Sequence, residues 1–207
     1  MERGITLRQG RCHVDAALPG ILADATSRLS ECLRMLLAQL KVELDQLASR
    51  IAEADCALEQ TSRESGACQR LIAIPGIGPV TATALIAAIG NGAAFSKEQE
   101  FSACVGLVPR EDSTGGKQRL LGISKRGNSY LRRLFVQGAR AVMMRRSKQA
   151  SGLSRWLEEP VVHKHHNVAI VALANKLARI AWAVLARGEI YHPPVLATAT
   201  SAQLACR

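Results

Sequence analysis

At 207 residues, with 48% apolar but only 3% aromatic side chains, the chain can bury a core that Leu, Ile, Val and Ala must fill. Such interiors suit close helix packing better than a sheet sandwich, so the expected fold class is mostly α. The formal net charge is +10, and the stretch from Arg110 to Arg155 carries all of it, with twelve basic residues against Glu111 and Asp112. A block of that kind predicts a polyanion-facing surface, nucleic acid before anionic membrane, over a merely solvated face.

Six cysteines form no C-x-x-C pair, which argues against a zinc site or a disulfide framework. No uninterrupted apolar run reads as a bilayer span and no leader pattern opens the chain, so no membrane contact and a cytoplasmic location are expected.

Residues 1–20 read as irregular, broken by Gly4, Gly10, Pro19 and Gly20. From Ile21 to Glu64 there is neither Pro nor Gly. Leu22, Leu29, Leu33, Leu36, Leu40, Leu44, Leu47, Ile51, Ala54 and Leu58 recur at heptad-like steps. The segment 21–65 therefore predicts a long amphipathic, coiled-coil-like helix. An ordinary bundle helix and a dimerising coil fit the pattern equally.

A compact helical domain is expected over 66–190, and a frayed tail over 191–207. Helical patterns fall at 67–73, 79–89, 97–106, 129–147 and 168–187. Ser96 with Gln99 predicts a capping box, and Asn167 a cap for the last helix. That helix places Ile170, Leu173, Leu177, Ile180 and Val184 on one core-facing stripe. Trp156 and Trp182 read as core residues. His163-Lys164-His165-His166 reads as a solvated basic loop rather than a metal site.

The run Leu71 to Gly90 contains Pro75-Gly76-Ile77-Gly78-Pro79. It looks like a helix-hairpin-helix motif, in which Gly76 and Gly78 admit a close backbone and free N–H groups at the next helix start cradle phosphate. The competing reading is a hairpin that only packs two helices.

From Pro109 the chain reads as a polar, glycine-containing loop presenting Ser113, Thr114 and Lys117, followed by a turn at Ser124-Lys125-Arg126-Gly127. The helix after it turns Tyr130, Leu131, Leu134 and Val142 inward and Arg133, Gln137 and Arg140 outward. Hydroxyls ringed by Arg110, Lys117, Arg119, Lys125, Arg126, Arg133 and Arg140 suit phosphoryl transfer. A serine oxygen attacks the phosphodiester and guanidinium groups stabilise the added charge.

The order hairpin, then P-R-E-D-S-T-G-G-K, then I-S-K-R-G-N-S-Y-L-R, resembles the C-terminal transposase domain of the insertion-sequence 110 family, close to its 1111-type branch. The resemblance runs from about Leu71 to Gly188, and the heptad segment lies where that family has a coiled coil. It implies a DNA recombinase with a serine nucleophile. That nucleophile falls on Ser113, with Thr114 the neighbouring choice and Ser124 a lesser one.

The family also carries a RuvC-like domain whose acidic residues hold divalent metal. Residues 1–65 offer only isolated acids such as Asp15 and Asp24, so no cofactor is expected in this chain and Mg2+ only through such a domain elsewhere. The resemblance further implies DNA and an element-encoded guide RNA as partners, with a homo-oligomer or a RuvC-like partner chain. The alternative is a non-catalytic nucleic-acid-binding module or a transposase remnant.

Overall fold

The computed structural model describes residues 5–24, 29–145 and 165–192. Arg146, Lys148, Arg155, Trp156, His163, Lys164 and most of the expected tail lie outside them. Among the described residues there are seven helices and one two-stranded antiparallel sheet, so the fold is mostly α. The chain divides into two units, Met1–Cys56 and Ala57–Arg207.

In the first unit the irregular N-terminus expected over 1–20 is replaced by a helix, α1 (Arg11–Ala23), which runs through Pro19 and Gly20. Packing supplies what propensity lacks. Leu18 is buried, and Arg34 donates to the carbonyls of Leu22 and Asp24, which a helix C-terminus otherwise leaves unpaired. Arg11 pairs with Asp15 and Asp45, and Lys41 with the same two carboxylates. These contacts match rising numbers on α1 to falling numbers on the next helix, so the two are antiparallel.

That next helix, α2, spans Glu31–Glu64. The single helix expected from Ile21 is therefore two, and Leu22 and Leu29 leave the seam. α1 covers the side around Leu33, Leu37 and Lys41. Leu36, Leu40, Leu44, Leu47 and Ile51 stay exposed, at 36–60% of their full accessibility.

The second unit is built on α3 (Gly66–Ile72), α4 (Pro79–Ile89), α5 (Glu98–Val105), α6 (Ser129–Arg145) and α7 (His166–Arg187). α7 is the central helix. Ten of its residues are buried, among them Ile170, Leu173, Leu177 and Val184 of the expected stripe, with Ile180 at its half-buried edge. By length and composition alone α7 could cross a membrane, but here it is packed against α3, α5 and α6.

All three phenylalanines of the chain meet edge to face, Phe95 on Phe101 at 5.5 Å and Phe101 on Phe135 at 6.2 Å. Trp182 is buried as expected, and its Nε1 donates to the Gly92 carbonyl at 3.1 Å.

The caps differ from the sequence reading. Glu100, not Gln99, accepts from the Ser96 N–H at 2.8 Å. His165 rather than Asn167 caps α7, its Nδ1 accepting from the Asn167 N–H at 3.2 Å. The Arg179 guanidinium, 2.8 Å from Glu98, and a backbone hydrogen bond hold that carboxyl below the usual carboxylate range.

Candidate nucleic-acid interface

The stretch expected as a polar loop is a β-hairpin. β1 (Pro109–Glu111) pairs antiparallel with β2 (Leu120–Ile123), matching Glu111 to Leu120. Pairing continues toward the tip, where the Asp112 N–H donates to the Arg119 carbonyl and Thr114 bridges to Lys117. The tip is Gly115-Gly116 at φ 59° and 77°, closed by the Lys117 N–H on the Thr114 carbonyl at 3.1 Å. Two consecutive left-handed residues make a turn whose twist matches a two-stranded ribbon, and glycine adopts it without strain. The Gly-Gly pair was the available signal. The strands gave none, because every residue from Pro109 to Gly122 is exposed and no apolar alternation marks them.

Strand alternation sorts the side chains into two faces. Glu111, Ser113, Gln118 and Leu120 share one. Asp112, Thr114, Lys117 and Arg119 share the other. Ser113 Oγ donates to Glu111 Oε1 at 2.6 Å and accepts from the Arg119 backbone N–H at 3.2 Å. The two candidate hydroxyls are thus separated. Ser113 sits with a carboxylate, and Thr114 falls on the face of Lys117 and Arg119.

The root of the hairpin is fastened to the helical body. Arg132, on α6, donates from Nη1 to the Val105 carbonyl at 2.9 Å and to the Arg126 carbonyl at 3.3 Å, so one guanidinium holds the chain before β1 and after β2. Asn175, on α7, donates to the Leu107 carbonyl at 3.0 Å and accepts from Ser102 Oγ at 3.1 Å. Asn128 starts α6, its Oδ1 accepting from the N–H groups of Tyr130 and Leu131.

Lys125 has a left-handed backbone at φ 55°, rare without glycine, and its N–H donates to the Gly106 carbonyl. Ser124, the lesser nucleophile candidate, has a buried Oγ without a hydrogen-bond partner, withdrawn from an approaching strand. Arg132, Asn128 and Asn175 were not singled out from the sequence. An arginine or asparagine that ties backbone carbonyls looks no different in sequence from one that meets solvent.

On α6, Leu131, Phe135 and Ala139 are buried, with Leu134 and Val142 half-buried. Arg133, Gln137 and Arg140 are exposed along one face, as expected. Tyr130 points outward at 49% exposure instead of into the core.

The turn between α3 and α4 meets the same helix. A Cβ on Gly138 would lie 2.0 Å from the Gly76 carbonyl oxygen, and one on Gly76 would lie 2.8 Å from the Gly138 carbonyl oxygen and from Val142 Cγ2. Gly76 is therefore required by helix packing as well as by its φ of 88°. Gly78 has open space around it and precedes α4 without a side-chain cap, which leaves the N–H groups of that helix start free of such a partner. Of the two glycines assigned to phosphate binding, only Gly78 faces open space.

Comparison with known proteins bears on this arrangement. A family model described as the transposase IS116/IS110/IS902 family matches residues 68–154. A "Probable family 20 transposase" of Pseudomonas aeruginosa is 43% identical over 91% of this chain and 56% of its own length. The transposase for insertion sequence element IS1328 of Yersinia enterocolitica is 44% identical over 75% of this chain and 47% of its own. The transposase for IS1111A of Coxiella burnetii is 38% identical over 92% and 52%. Residues 68–154 carry the sequence of the IS116/IS110/IS902 transposase family.

It spans about half the length of the curated relatives it matches. The matched residues 68–154 take in the α3–α4 turn, the whole hairpin and α6. Arg110, Lys117 and Arg119 stand on the hairpin, Lys125 and Arg126 at its root, and Arg133, Arg140 and Arg145 on α6, all exposed. None of the eight forms an ion pair with an acid among the described residues.

Proposed function

We propose that this IS110-family chain supplies the DNA-gripping and nucleophile-bearing part of a recombinase that moves DNA by serine-dependent strand transfer. The observation that carries the reading is the hairpin, which presents Ser113 and Thr114 to solvent on a ribbon that carries exposed cations at its strands and root, none of them ion-paired with an acid among the described residues. Lys and Arg side chains hold the phosphodiester and take up the charge added in the transition state. Ser113 Oγ gives up its proton and bonds to phosphorus, the bond from phosphorus to the leaving sugar oxygen breaks, and that oxygen takes a proton from solvent. The covalent phosphoserine keeps the energy of the broken strand for rejoining.

Thr114 is the second choice of hydroxyl, favoured by sharing a face with Lys117 and Arg119. The Gly78 turn at the start of α4 adds backbone N–H groups to the grip in the manner of a helix-hairpin-helix. Divalent metal would belong to a RuvC-like domain outside residues 1–207. DNA, a guide RNA and a second copy docked on the α2 seam complete the assembly.

The grip is tested by titrating the chain against duplex DNA over a range of salt. Five or more phosphate contacts predict a log–log slope of about −4 or steeper. A flat response removes the electrostatic basis of the proposal.

A further inference from the structure

We infer that Glu111 is a catalytic residue, the proton acceptor that activates Ser113; the inference rests on the proposed strand-transfer reading. A serine hydroxyl is a weak nucleophile until a neighbouring base takes its proton, and the signature of such a pair is a hydrogen bond between them. Glu111 Oε1 accepts from Ser113 Oγ at 2.6 Å, within the range of a charge-assisted O–H···O⁻ bond. The two residues are two apart on the same hairpin edge, so strand alternation puts both on one face.

The hydrogen bonds around Oγ also leave it able to react. A hydroxyl has one proton and two lone pairs. The proton points to Glu111, one lone pair accepts from the Arg119 N–H at 3.2 Å, and the second is free for phosphorus. As the proton leaves, the same backbone N–H stabilises the growing negative charge on oxygen, the role of an oxyanion donor.

The step balances without a further reagent. The Oγ–H proton passes to the Glu111 carboxylate and the Oγ–P bond forms. The bond from phosphorus to the leaving sugar oxygen breaks with its electron pair, and a solvent proton neutralises that oxygen. Glu111 then returns its proton to water.

The experiment uses the 207-residue chain and a fluorescent duplex oligonucleotide with bridging sulfur at the leaving position, which departs without needing a proton. The rate of forming a denaturation-resistant protein–DNA adduct is read for wild type, Ser113→Ala, Glu111→Gln and Glu111→Ala. Helical content and DNA affinity are followed alongside, since the hairpin is exposed and its variants leave the core untouched.

Loss of a general base predicts a rate lower by about 100-fold or more in Glu111→Gln and Glu111→Ala. Added formate should restore Glu111→Ala by about tenfold or more and leave Ser113→Ala inert. If Ser113→Ala abolishes the adduct while Glu111→Gln stays within about threefold of wild type, Glu111 is not the base and the strand-transfer reading stands. If the Glu111 variants are slow but formate restores nothing, the carboxylate only braces the hairpin and the inference is overturned. If wild type forms no adduct, or Ser113→Ala forms it undiminished, the serine reading itself falls and takes the inference with it.

Discussion

Substituting Gly138 by alanine separates what the fold demands from what helix propensity demands. In an isolated helix, Gly→Ala at an interior position stabilises by about 0.8–1.0 kcal/mol. Here the new Cβ would stand 2.0 Å from the Gly76 carbonyl oxygen and 3.1 Å from its carbon. Ordinary C···O contacts begin near 3.3 Å, so α6 and the α3–α4 turn must separate by about 1 Å. Both partners are backbone, and no flexible side-chain end can yield instead.

Overpacking of this kind costs about 3 kcal/mol, the upper part of its usual range, which overrides the propensity gain and leaves about 2 kcal/mol of destabilisation. For a chain of this size that lowers the Tm by about 4–8 °C. Gly78→Ala is the internal control. With no atom within 4 Å of the added Cβ and an extended backbone, it should change stability by no more than about 0.5 kcal/mol. The assay is thermal unfolding followed by circular dichroism at the helical band. A Gly138→Ala variant that melts at or above wild type would refute the Gly76–Gly138 contact and restore the phosphate reading of Gly76.

Two further outcomes follow from the same geometry. Arg132→Ala releases the Val105 and Arg126 carbonyls, each held by a charged donor at about 1.5–3 kcal/mol, so trypsin should cut the hairpin faster while the helical signal persists; unchanged cleavage would contradict the fastening role. The exposed seam of α2 should hold a second copy, so the chain should sediment as a dimer and Leu40→Glu with Leu47→Glu as a monomer; a monomeric wild type would contradict it.

Helix α7 was legible because its apolar residues repeat at the helical period over 22 residues and the structure buries that stripe. The basic face of α6 was legible for the same reason. Helix α1 was hidden because Pro19 and Gly20 oppose it locally, and what sustains it, the burial of Leu18 and Arg34 of α2 on its last carbonyls, comes from tertiary structure. The hairpin was hidden because its strands are short and exposed on both faces. Once the strands are in register, the Ser113–Glu111 pairing follows from a spacing of two, but nothing in a loop reading assigns the residues to faces. Gly138 carried no signal at all, since a glycine inside a helix shows its purpose only when the opposing backbone is in place.

Peptide mapping of a denatured protein–DNA adduct by mass spectrometry tests the central claim most directly. The account predicts a nucleotide phosphate esterified to Ser113 Oγ. A phosphate on Thr114 or on any residue off the hairpin, or no adduct with intact duplex bound, would contradict it.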